Sequence, residues 1–188
     1  MNQTRISACA LALSLLFPVS ALAGVTLKAI NTHSYEKSLY EAAAKQQIDN
    51  GAPVDKQAFS VKRDDKVLGN ILAGQGFNAN DDNVCFVSWA APDGKIQNLV
   101  PTIGFDNWEA EVCGGTRAVG VLADDKDSIK LAVIYDAQSP NASAVESVIF
   151  SVNTATGAFT TDNALTAKLG SQGAATLQAL KTLYRASH

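Results

Sequence analysis

Histidine, methionine and cysteine are scarce in this chain, which has two, one and three of them in 188 residues. So small a supply leaves few metal-binding or redox constellations to build. An excess of basic charge is also missing. Fifteen Lys and Arg face eighteen Asp and Glu, a formal charge of −3, which argues against electrostatic binding to nucleic acid or to an anionic membrane surface. No internal repeat, low-complexity run or Pro/Gly/Ser-rich linker divides the chain. What is present is an ordinary globular composition, 47% apolar and 18% charged.

The first residues carry an export signal. Met1 to Ala8 contains one base, Arg5, and no acid; Ala10 to Phe17 is apolar apart from Ser14; Pro18 then breaks any helix. Ala21-Leu22-Ala23 supplies the small residues that a signal peptidase requires, so cleavage is expected after Ala23. The apolar core is much shorter than the ~20 residues of a membrane span, and no second stretch approaches that length. The expectation is a cleaved signal peptide over residues 1–23, a single globular domain over 24–188, and a bacterial periplasm as the compartment.

Export changes the meaning of the cysteines. Cleavage removes Cys9 and leaves Cys85 and Cys113, and an isolated pair in an oxidising compartment is expected to form a bridge. Chain entropy gives such a bridge roughly 3.5 kcal/mol. A redox couple would instead favour Cys-x-x-Cys spacing.

Hydrophobic periodicity places the elements. Val25 to Ile30 alternates and predicts an edge strand. Ser34 is placed to cap a helix running to about Asp49, with Tyr35, Leu39 and Ala43 on one face and Gly51 ending it. Ala58 to Val61 predicts a short strand. Val67, Leu68, Ile71 and Leu72, behind Asp64 and Asp65, have helical spacing stopped at Gly74. From residue 84 the period becomes two. Strands are expected over Val84 to Ala90, Ile96 to Val100, Arg117 to Leu122, Ile129 to Tyr135, Val145 to Val152 and Ala158 to Thr161. Turns are expected at Pro92 to Lys95, Asp124 to Asp127 and Asn153 to Gly157. Helical material closes the chain, over Ala164 to Leu169 and Ala174 to Tyr184, with Leu177, Leu180 and Tyr184 facing a sheet. This order predicts an α+β fold: a mostly antiparallel sheet of hairpin-connected strands, an N-terminal helical region and a C-terminal helix.

Most catalytic motifs in the sequence are incomplete. Ser34-Tyr35-Glu36-Lys37 and Ser151-Val152-Asn153 match two elements of penicillin-recognising enzymes, but the Lys-Thr-Gly element is missing. His33 and His188 belong to no His-Glu-x-x-His helix. Gly69, Gly74 and Gly76 resemble a phosphate loop with Gln75 where lysine belongs; a helix C-cap followed by a turn is the expected reading. Asn78 to Asn83 has calcium-loop spacing without the loop glycine or the distal glutamate, and reads as a solvated Asx turn.

The patch of most interest is Asp106-Asn107-Trp108-Glu109-Ala110-Glu111. Alternation turns Trp108 inward with Ala110 and Val112 and leaves Glu109 and Glu111 on one strand face. A large aromatic among acids inside a disulfide-closed loop suits an interface, so Asp106, Asn107, Trp108, Glu109 and Glu111 are the expected partner-binding residues. In general profile the chain resembles periplasmic immunity proteins that protect bacteria from wall-attacking effectors, a likeness of type without a shared motif. The expected function is therefore binding or inhibition through a protein–protein complex. The partner would be a basic cell-wall hydrolase or secreted effector, with no cofactor, no metal, no nucleic acid and no stable membrane insertion. The alternatives are a small exported hydrolase using Asp106, Glu109 or Glu111, and a structural subunit of an envelope assembly.

Overall fold

The structure, a computed structural model, describes residues 24–105 and 112–187. The chain begins with β1 (Val25–Ala29), a 3-10 turn (His33–Tyr35) and α1 (Glu36–Ala44). It continues through β2 (Asp49–Arg63), β3 (Lys66–Phe77), β4 (Asn83–Ala90) and β5 (Ile96–Pro101). Then follow β6 (Val112–Asp124), β7 (Ser128–Ser139), β8 (Ala142–Asn153) and β9 (Phe159–Thr161), and finally α2 (Asn163–Leu169) and α3 (Leu177–Ala186). Every pairing is antiparallel between chain neighbours, giving one sheet in the order β1-β2-β3-β4-β5 and a second in the order β6-β7-β8-β9. The fold is α+β, as the order of elements predicts.

The two sheets pack face to face. Ile71, Ala73, Cys85, Val87 and Trp89 of the first share one buried cluster with Leu131, Val133, Tyr135, Val148 and Phe150 of the second. The indole of Trp89 stacks on Phe159 at 5.1 Å between ring centroids, and Phe159 stacks on Phe150 at 4.9 Å. The outer faces are covered as well. Tyr35, Leu39 and Ala43 of the α1 region pack on Leu72, Phe86 and Leu99, whereas Leu169, Leu177, Leu180 and Tyr184 of α2 and α3 pack on Ala132, Ile134 and Ile149. The layers are thus helix, sheet, sheet, helices.

Local chemistry explains the turns. Asp64 and Asp65 both have positive φ, 51° and 63°, in a two-residue hairpin closed by Arg63 and Lys66, a connection whose twist matches that of paired strands. The Asn153 side chain accepts from the backbone N–H groups of Ala155 and Thr156. Asp162 and Thr176 cap α2 and α3 by accepting from Leu165 and Ala179.

Two expectations are corrected. The first helix spans Glu36–Ala44, not Ser34 to Asp49: Ser34 lies in the 3-10 turn and caps nothing, and Gly51 belongs to β2. The second predicted helix, with Val67, Leu68, Ile71 and Leu72 on one face, is strand β3. Asp64 and Asp65 form its hairpin turn, and Gly69, Gly74 and Gly76 are strand residues, neither a helix cap nor a turn. The reason is burial on both faces. Ile71 points into the inter-sheet core and Leu72 toward α1, so the period of two is replaced by an apolar run.

Candidate functional site

The predicted bridge is present. Cys85 on β4 and Cys113 at the start of β6 are bonded, with Cα atoms 5.7 Å apart and both residues buried. It joins the two sheets where the chain crosses from one to the other. Cys85 is held further by Thr102, whose hydroxyl donates to the Cys85 carbonyl at 2.9 Å, and its own N–H donates to Ile103. Gly104 follows with φ of +86°, and a Cβ there would meet the Asn83 carbonyl at 2.6 Å. Only glycine accepts both constraints without strain.

Asp106, Asn107, Trp108, Glu109 and Glu111, the predicted partner-binding residues, lie outside the described residues. Their flanks do not. Phe105 donates its N–H to the Thr102 carbonyl and packs against the cluster under α1, and Val112 adjoins the disulfide-bonded Cys113. The segment is therefore tethered at both ends to the buried inter-sheet tie.

Beside this tether is a shallow cavity of about 250 Å³ lined by Gln47, Asn78, Ala79, Asn80, Gly104 and Phe105. Asn78 shapes its wall as an Asx turn, its Oδ1 accepting from the N–H groups of Asn80 and Asp82. Asp49 pairs with Phe77 across β2 and β3, and Asp81 and Asp82 follow the cavity-lining Asn80 in the chain. Phe77 is 37% exposed. Residues 77–83 and 102–105 contain no Lys or Arg, and the cavity itself is lined by Gln47, Asn78, Asn80 and Phe105 with Ala79 and Gly104.

A second polar cluster lies on the outer face of the second sheet. Lys130 donates to Ser151 Oγ and to Asp162 Oδ2, each at 2.7 Å, and Ser151 Oγ lies 3.2 Å from the same carboxylate oxygen. Burial by itself raises the Asp162 pKa. The hydrogen bond from Lys130, that from the Leu165 N–H, the Lys130 charge and the Ser151 hydroxyl outweigh it, and the net shift is downward. One carboxylate oxygen of Asp162 thus accepts from both Lys130 and Ser151. The triad ties β7 and β8 to the start of α2 and its chemistry is structural. Ser151 belongs to a motif visible in the sequence; Lys130 and Asp162 do not, although an aspartate ahead of a helical segment is a capping signal.

The remaining motif residues are dispersed. Ser34 and Lys37 are exposed, and Lys37 faces Glu41 at 3.9 Å. His33 pairs with Glu36 at 2.8 Å on the surface. Among the described residues no group of three His, Cys, Asp or Glu is placed to hold a metal ion, and no helix is long and apolar enough to cross a membrane. Comparison with protein-family models, curated proteins and solved structures finds no match.

Proposed function

We propose that this is an exported binding protein that acts by forming a protein–protein complex, an inhibitor or immunity protein whose partner is a basic cell-wall hydrolase or secreted effector. The observation that carries this reading is the acidic end beside the inter-sheet disulfide. Asp81 and Asp82 continue the chain from the cavity-lining Asn80, and the segment tethered at Phe105 adds Asp106, Glu109 and Glu111 by sequence. The basic cleft of an enzyme acting on anionic wall polymer complements this charge. Complementarity of that kind mainly accelerates encounter. By sequence Trp108 stands among these acids, and a large aromatic residue at an interface slows dissociation. Tethering the segment at Phe105 and Cys113 reduces the ordering cost of binding.

The test is capture of partners from envelope extract on the immobilised protein, followed by reconstitution with the purified partner. The expected result is a 1:1 complex whose association rate falls with salt, and falls about tenfold further in an Asp81→Asn/Asp82→Asn/Asp106→Ala/Glu109→Ala variant. A folded variant that binds as fast and as tightly as the parent at every salt concentration removes the acidic end from the interface. Turnover of a wall or ester substrate, abolished by a single change at Asp106, Glu109 or Glu111, would replace inhibition with catalysis. N-terminal sequencing of envelope material should begin at Gly24; an intact residue 1–23 segment would contradict export by cleavage.

A further inference from the structure

The first strand of the chain is tied to the second sheet through a single carboxylate. β1 pairs with β2, Val25 lying opposite Arg63. Yet the Val25 N–H donates at 3.1 Å to Oδ2 of Asp124, the last residue of β6. The other oxygen, Oδ1, receives the Arg63 guanidinium, which also donates to the carbonyls of Asp125 and Lys126. The Arg63 and Asp124 side chains are only 19% and 26% exposed, so salt screens them less than it screens a pair in open water. Gly24, the residue before Val25, is exposed. Standard bond lengths hold its nitrogen within ~4 Å of the Val25 nitrogen, and so within about 7 Å of Asp124 Oδ2.

We infer that Asp124 binds the α-amino group of Gly24 once cleavage has created it, so that processing adds a charge to the tie between the sheets. The inference rests on the proposed cleavage after Ala23. In the uncut chain the Gly24 nitrogen is a neutral amide. Hydrolysis of the Ala23–Gly24 bond gives the hydroxyl of water to the Ala23 carboxyl and a hydrogen to the Gly24 nitrogen. At neutral pH that amine takes a further proton from solvent and becomes an ammonium. Its surroundings favour a cation. Residues 63–66 and 124–127, the two turns at this end, hold five Asp against three Lys or Arg, namely Arg63, Lys66 and Lys126. The adjoining turn at residues 153–157 carries no charge, and its Thr154 N–H donates to the Asp127 carbonyl. On the adjacent strand Lys62 lies opposite Thr26. Arg63 competes for Asp124 but takes the oxygen that Val25 does not use. The charge added by processing therefore falls on the Val25 side of the carboxylate, where β1 already meets β6.

The test uses protein recovered after export, with its first residue established by N-terminal sequencing and its glycines labelled with carbon-13. The Gly24 Cα resonance then follows the titration of the α-amino group. An unperturbed α-amino group titrates at about 7.7–8.0. Gly24 is expected about half a unit higher at low salt, returning toward that range as ionic strength rises. Asp124→Asn should restore the ordinary value. Arg63→Ala, which frees the carboxylate from its other cation, should raise it further. Stability carries the same sign. A raised folded pKa gives a contribution that is complete below the unfolded value and is lost as pH rises through the folded one. Between pH 7 and 9.5 the thermal midpoint of the parent should therefore fall about 1–2 °C more than that of Asp124→Asn. Cys85 and Cys113 are bonded to each other and add no thiol titration there. An ordinary or lowered value in the parent, or one that ignores salt and both substitutions, would overturn the inference. A first residue other than Gly24 would instead remove the cleavage on which it rests, a failure that sequencing alone identifies.

Discussion

Gly69 lies directly against the indole of Trp89: a Cβ on Gly69 would come within 2.3 Å of Trp89 Cζ2 and 2.9 Å of the Ala90 carbonyl. The glycine therefore sets the depth at which Trp89 sits, and with it the stack that continues through Phe159 to Phe150. Gly69→Ala is expected to push the indole out of that stack and to destabilise the fold by about 1–3 kcal/mol. Urea unfolding gives the loss, and near-ultraviolet circular dichroism reports whether the aromatic stack has shifted. Unchanged stability would mean that the sheets separate freely at this point.

Removing the inter-sheet disulfide acts at a different level. Cys85→Ala/Cys113→Ala is expected to cost about 3–4 kcal/mol, chiefly by releasing the unfolded chain from a closed loop. Both sulfurs are buried, so mild reductant should leave the native protein oxidised and reduce it only in denaturant. Peptide mapping without reduction should recover the two cysteines in one linked fragment. Rapid reduction of the native protein would contradict this placement.

The Lys130–Asp162 pair sets an acid limb of stability. Because the folded Asp162 pKa is lowered from the ordinary 3.8, its contribution is complete above that value and is lost as pH falls through the folded value. Asp162→Asn keeps a capping side chain for α2 but removes the charge, leaving Lys130 without its counter-ion. It is expected to lose about 1–2 kcal/mol at neutral pH and to show a shallower decline below pH 4 than the parent. Parallel acid-unfolding curves for the two proteins would show that other carboxylates control this limb.

Arg63 joins the sheets at the other end of β2 from Asp49. Its guanidinium pairs with Asp124 and donates to the carbonyls of Lys126 at 2.8 Å and Asp125 at 2.6 Å, while the Val25 N–H donates to the second Asp124 oxygen at 3.1 Å. A planar fork serves these acceptors together, and lysine has no equivalent geometry. Arg63→Lys should therefore recover little of the loss in Arg63→Ala. A double-mutant cycle with Asp124→Ala should give a coupling of about 1 kcal/mol, reduced by salt because both side chains are partly exposed. A coupling near zero would assign the role of Arg63 to the carbonyls alone.

The strands from β4 onward were legible from local sequence because their ends carry the turn chemistry that chains use: Pro92 to Lys95, Asp124 to Asp127, and Asn153 to Gly157. The bridge was legible from the cysteine count and the expected oxidising compartment. The acidic patch at Asp106 to Glu111 was legible as composition, while the residues that share a cavity with Phe105 beside it, Gln47 and Asn78, were not, since only the tertiary fold brings them together. Nor does any local signal join Lys130 to Asp162, thirty-two residues away. Sequence by itself determined which side chains were available and where the chain turns, because turn propensity and charge are properties of a few adjacent residues. The conformation of residues 66–77 was decided by tertiary structure. Val67, Leu68, Ile71 and Leu72 satisfy a helical period, but α1 on one side and the second sheet on the other bury both faces of a strand. That double burial outweighs the local pattern, since a strand between two apolar layers needs no polar face.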